Sequence, residues 1–124
     1  MTVIGHKVWA IAEGYIPPAS TGATRELVSH ETICILNANE RAAQIEITIY
    51  FSDRAPIGPY RFTIDGRRTR HLRFNDFSDP APVPKGTDFA SVIVSDQPIV
   101  VQHTRLDTRQ PALALMSTMA FPAA

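Results

Sequence analysis

Residues 43–51 read AQIEITIYF, and their alternation decides the fold class. In an extended chain Ile45, Ile47, Ile49 and Phe51 share one side, while Glu46, Thr48 and Tyr50 share the other. This is a strand with one face on a core and one face in water. Working outward, short runs rich in β-branched and aromatic residues recur near residues 8–12, 32–36, 61–64, 70–74, 90–95, 99–105 and 113–120. Pro, Gly, Asn and Asp clusters separate them, and no long amphipathic helix is evident. The expectation is an all-β fold, an antiparallel β-sandwich of about eight strands, jelly-roll-like.

The punctuation agrees. Residues 37–41 (NANER) link two strands, 55–59 (APIGP) make a bend, and Asp65-Gly66 is a hairpin-turn signal. The long irregular stretches are 16–26 and 77–88. In the second, three prolines spaced by two stiffen the chain into a loop lying across the sandwich. At 124 residues the chain is read as one domain, 1–124, able to remove about two thirds of the unfolded chain's surface from water.

Apolar residues make up 44% and charged residues 19%, so the composition is that of a globular protein. The formal net charge is zero, which leaves no long-range field to gather polyanions, so any nucleic-acid contact needs a local patch. Cys34 is the one cysteine; flanked by Ile33 and Ile35, it is expected as a small core hydrophobe. The opening MTVIGHKVW lacks the apolar run of a signal peptide, and no stretch of 18 apolar residues occurs. A cytoplasmic protein, not membrane-embedded, is expected.

The second informative stretch is 98–107, PIVVQHTRLD, apolar at its start and polar at its end. As a strand it puts Ile99, Val101, His103 and Arg105 on one face and Val100, Gln102, Thr104 and Leu106 on the other. Polar groups buried without partners cost roughly 2–7 kcal/mol each, so His103 and Arg105 should meet polar groups. Glu13, His30, Glu31, Asn75 and Asp76 are the candidates.

Taken in order, WAIAEGYIP (9–17), SHETICILN (29–37), EITIY (46–50), GPYR (58–61), RFND (73–76), DPAPVP (79–84), DFASVI (88–93) and the 98–107 stretch resemble the sensory rhodopsin transducer family of small bacterial proteins. Departures are confined to 19–27 and 121–124. The resemblance implies a cytoplasmic β-sandwich assembling as a homotetramer, a signal transducer coupled to the cytoplasmic face of a sensory rhodopsin. It also implies an alternative, because some relatives look like sensor modules for small sugar-like ligands.

Residue chemistry bears on that alternative. Trp9, Glu13, Tyr15, His30, Glu31, Asn75, Asp76, Gln102, His103 and Arg105 form the candidate ligand-binding set, since aromatic faces cover sugar rings while amides, carboxylates and Arg bind hydroxyls in pairs. A competing use is hydrogen bonding to loops and neighbouring subunits. The four histidines show no metal-ligand spacing, so neither a metal nor any other cofactor is expected. His30, Glu31, His103 and Asp107 could supply a base and its orienter, yet Ser29 beside His30 is an awkward nucleophile and no nucleophile elbow occurs. No enzyme is expected.

Residues 66–74, GRRTRHLRF, concentrate Arg67, Arg68, Arg70 and Arg73 into a patch for weak DNA contact or an acidic partner. Their competing use is cross-strand pairing with Glu46, Asp53 or Asp65. The apolar tail 111–119, PALALMSTM, favours an oligomer because exposed surface of that kind usually meets a partner.

Overall fold

The computed structural model describes residues 2–123. Ala124, the last residue of the departing tail, lies outside them. The strands are β1 (His6–Ile11), β2 (His30–Asn37), β3 (Ala43–Phe51), β4 (Ile57–Ile64), β5 (Arg68–Arg73), β6 (Phe89–Asp107), β7 (Ala114–Met119) and β8 (Phe121–Pro122). Short 3-10 turns occur at Arg25–Leu27 and Phe74–Asp76. The fold is an antiparallel β-sandwich.

One strand organises it. The first half of β6 lies between β3 and β1, giving a sheet ordered β4-β3-β6-β1-β8. From Val100 onward its ladder passes to β2, and the second sheet reads β5-β2-β6-β7. The sequence reading split this 19-residue strand in two at Pro98. A proline lacks the N–H that an interior strand needs. Here pairing with β3 has ended at Ser95 and pairing with β2 begins at Val100, so Pro98 lies where the chain changes sheets. Its carbonyl accepts a bond from Asn39 Nδ2 at 2.6 Å. Beside it Gly5, at φ 109°, packs so close to the Ile99 backbone that a Cβ would collide.

Period-2 patterning survives the crossing. Phe89, Ser91, Ile93, Ser95, Ile99, Val101 and His103 are all buried on the inner side. They meet Ile45, Ile47 and Ile49 of β3, Ile33 and Ile35 of β2, and Trp9 and Ile11 of β1 in a single core cluster. Each fully buried aliphatic side chain contributes about 1.5–3 kcal/mol over an exposed one. β3 follows its reading, with Glu46 and Tyr50 exposed on the outer face.

Three local expectations change. Residues 57–59, read as part of a bend, open β4. Asp65-Gly66 does not make a hairpin, because β4 pairs with β3 and β5 pairs with β2, so this turn passes between sheets. Cys34 is half-buried on the outer face, since Ile33 and Ile35 claim the inner one. Phe121–Pro122 adds a two-residue strand on β1 that the sequence did not announce. Among the described residues no helix is long and apolar enough to cross a membrane.

Candidate functional site

At the polar end of the core, β2 and β6 bring Glu31 against His103 and Arg105. Glu31 faces inward because it is in phase with Ile33 and Ile35, and it is fully buried. Its Oε2 accepts from His103 Nε2 at 2.6 Å. Its Oε1 accepts from Arg105 Nε at 3.0 Å, Arg105 Nη2 at 2.8 Å and the Tyr15 backbone N–H at 2.6 Å. Both carboxylate oxygens are thereby satisfied, which a buried charge requires.

The network extends outward. Arg105 Nη2 also reaches Glu13 Oε2 at 2.8 Å, on a side chain 63% exposed. The Arg105 guanidinium lies over the Tyr15 ring, with Arg109 on the same ring. Asn75 accepts from the Glu31 backbone N–H at 3.2 Å and donates to the Ser29 carbonyl at 3.0 Å. Burial works against the charge on Arg105, yet its bonds to Glu13 and Glu31 more than offset this and raise its pKa.

Six of the ten candidate residues therefore converge: Glu13, Tyr15, Glu31, Asn75, His103 and Arg105. Four lie elsewhere. Trp9 is 3% exposed in the core, its indole N–H shared between the His6 and Ile99 carbonyls at 2.9 and 3.0 Å. His30 points to the outer face, with Nδ1 2.7 Å from the Val28 carbonyl. Asp76 holds Arg25 at 2.7 Å, and Gln102 is exposed beside Ser117.

Two polar anchors were missed. Ser29 Oγ ties the Ala19 carbonyl, the Thr108 hydroxyl and the Thr108 N–H together within 3.1 Å. Asn37, fully buried, donates to the carbonyls of Arg41, Ile64 and Asp65 and accepts from Asn39 N–H. NANER was legible as a turn; that its first Asn continues the inner phase of Ile33 and Ile35 was the available signal.

Chemically the cluster is a clasp. Glu31 has no free oxygen to act as a base, and Ser29 is bonded to Thr108 and the Ala19 carbonyl. Among the described residues no three His, Cys, Asp or Glu groups converge on a common metal position.

The arginine run divides. On β5, Arg68 and Arg70 alternate with Arg73, and Arg70 lies over the Phe62 ring while donating to the Thr63 carbonyl. Arg67 occupies the turn at φ 58°. The expected cross-strand pairs do not form: Glu46 faces Arg61 at 3.7 Å and Asp53 faces Arg54 at 2.9 Å.

Comparison with known proteins follows the same architecture. No curated protein matches the chain. A solved structure of Anabaena sensory rhodopsin transducer is 61% identical, covering 83% of this chain and 99% of that one at a TM-score of 0.76. The crystal structure of Thermotoga maritima 1070 is 32% identical, covering 95% of each chain at a TM-score of 0.82. The family model described as Anabaena sensory rhodopsin transducer matches residues 4–122, and the chain belongs to that family.

Proposed function

We propose that this chain is a noncatalytic cytoplasmic signal transducer, working as a homotetramer of single-domain subunits that relays a photoreceptor signal by reversible contact with the cytoplasmic face of a sensory rhodopsin. Membership in the family across residues 4–122 carries this reading. The exposed tail supports the assembly. All six residues of β7 are exposed, and Leu113, Leu115, Met116, Met119 and Phe121 present apolar side chains to solvent. The test is titration of the purified protein against a detergent-solubilised sensory rhodopsin in light and dark by calorimetry. Saturable binding that differs between the two states is expected; absence of binding in both overturns the reading.

A second reading, a sensor for a small polyhydroxylated ligand, draws on the convergence of Glu13, Tyr15, Asn75, His103 and Arg105 upon Glu31. A thermal-shift screen of sugars, sugar acids and nucleotides tests it, with hits expected to vanish in Arg105→Gln. Weak DNA contact through Arg67, Arg68, Arg70 and Arg73 would show a steep salt dependence.

A further inference from the structure

The outer side of the second sheet carries a depression of about 400 Å³ whose walls contain no carboxylate. Thr32 pairs with Arg73 of β5 on one side and with Thr104 of β6 on the other, so these three side chains form one row across the sheet. Directly paired positions of this kind are about 4.5–5.5 Å apart at Cβ. His71 enters from the next row of β5, His30 closes the end along β2, and Arg25 overhangs from the 3-10 turn. Strands hold five of these six residues on a rigid backbone.

The charges are unbalanced. Arg25 is paired with Asp76 at 2.7 Å, and Asp76 is outside the depression. Arg73 donates one N–H to the Arg25 carbonyl at 2.8 Å and, among the described residues, forms no ion pair, the exposed Glu26 sharing its field without bonding to it. An adjoining hollow of about 330 Å³ shares Arg25 and Arg73 and adds Lys85, with Asp76 as its one acid. His30 sits in this field: burial lowers its pKa first, Arg73 and Arg25 lower it further, and its bond to the Val28 carbonyl and the neighbouring Glu31 oppose them.

We propose that this depression binds a small oxyanion, the phosphate, sulfate or carboxylate group of a small-molecule ligand, with Arg73 as the main grip and the hydroxyls of Thr32 and Thr104 and the imidazoles of His30 and His71 around it. A guanidinium offers a planar fork matched to two oxygens of such a group. The Thr32 hydroxyl can rotate to donate, the Thr104 hydroxyl by giving up its 3.2 Å bond to Ser117 Oγ, and no carboxylate lines the depression to repel the anion. This site lies on the opposite side of the sheet from the Glu31 clasp.

The test is calorimetric and NMR titration of the full chain with inorganic phosphate, with sulfate, with gluconate and with glucose. The three anions should bind saturably and glucose should not; tighter binding of gluconate than of phosphate identifies an organic acid, and the reverse a phosphate group. Arg73→Gln should weaken anion binding by about tenfold or more, the equivalent of one charge-assisted pair. Arg68→Gln removes the same charge from the opposite side of the same strand and should change nothing. If Arg73→Gln unfolds, the exposed His71→Gln variant serves instead, with a smaller loss. Equal losses in Arg68→Gln and Arg73→Gln, anion binding unchanged in Arg73→Gln, or binding of duplex DNA with none of the small anions would overturn the proposal.

Discussion

His103 meets Glu31 at 2.6 Å with both side chains sealed from solvent, at 1% and 0% exposure, and this contact joins the polar end of β6 to the start of β2. Arg105 and the Tyr15 N–H complete the carboxylate and draw the 12–18 segment onto the same two strands. The clasp lies where the core stops being apolar: along the inner face of β6, Ile99 and Val101 give way to His103 and Arg105.

Removing the carboxylate charge should cost more than any surface pair. Glu31→Gln leaves Arg105 and His103 facing an amide that cannot accept all four bonds, and breaking a buried pair from one side typically costs about 3–5 kcal/mol. Glu13→Gln, at an exposed partner of the same arginine, should cost less than about 1 kcal/mol. Urea unfolding of both variants measures the difference. Near-equal midpoints would deny Glu31 its role.

How far sequence reaches is visible in particular residues. β3 was readable because strict alternation reports one buried face. His103 and Arg105 were expected to find polar partners by the cost of burying them alone, and they found Glu31 and Glu13. The continuity of β6 was hidden, because a proline breaks a strand except where the ladder changes partner, which is a tertiary fact. Trp9 was misplaced as a ligand platform since aromatic character is the same in a core and in a pocket. Cys34 could have been placed: two inward isoleucines at its flanks require it to point outward.

Asn37 carries a prediction of its own. It bonds to three carbonyls and one N–H where β2 crosses to β3, so it fastens that crossing to the end of β4. Asn37→Ala should destabilise by about 2–3 kcal/mol, since buried acceptors then lose their donor. Equilibrium unfolding measures the loss, and amide exchange should rise first at residues 38–42. A change under about 1 kcal/mol would show that water replaces the side chain at no cost.

His30 makes stability depend on pH. Its folded-state pKa is lowered, by burial first and then by Arg73 and Arg25. As pH falls through about 6.5 the unfolded chain takes up a proton that the folded chain does not, so folding weakens from there down to the folded-state pKa and no further. His30→Gln should therefore lose less stability than the wild type between about pH 7.5 and about pH 5. Urea midpoints at the two values decide it; parallel losses in the two proteins would remove His30 as the source.

The tail offers the sharpest test of assembly. Among the described residues β7 pairs with β6 along one edge only, which leaves its other edge open in the way that invites another strand. Leu115 is 71% exposed and Met119 55%, so most of each side chain faces solvent rather than its own subunit's core. Covering such side chains returns about 25 cal/mol per Å² before the costs of association. Leu115→Glu with Met119→Glu should therefore leave the circular dichroism spectrum and unfolding midpoint of the subunit nearly unchanged while light scattering falls from the mass of four chains to that of one. Ser52→Glu, at the exposed turn after β3, should keep the tetramer. A wild-type protein that scatters as one chain at every concentration would refute tetramer formation, and a tetramer surviving both glutamates would locate its interface away from β7.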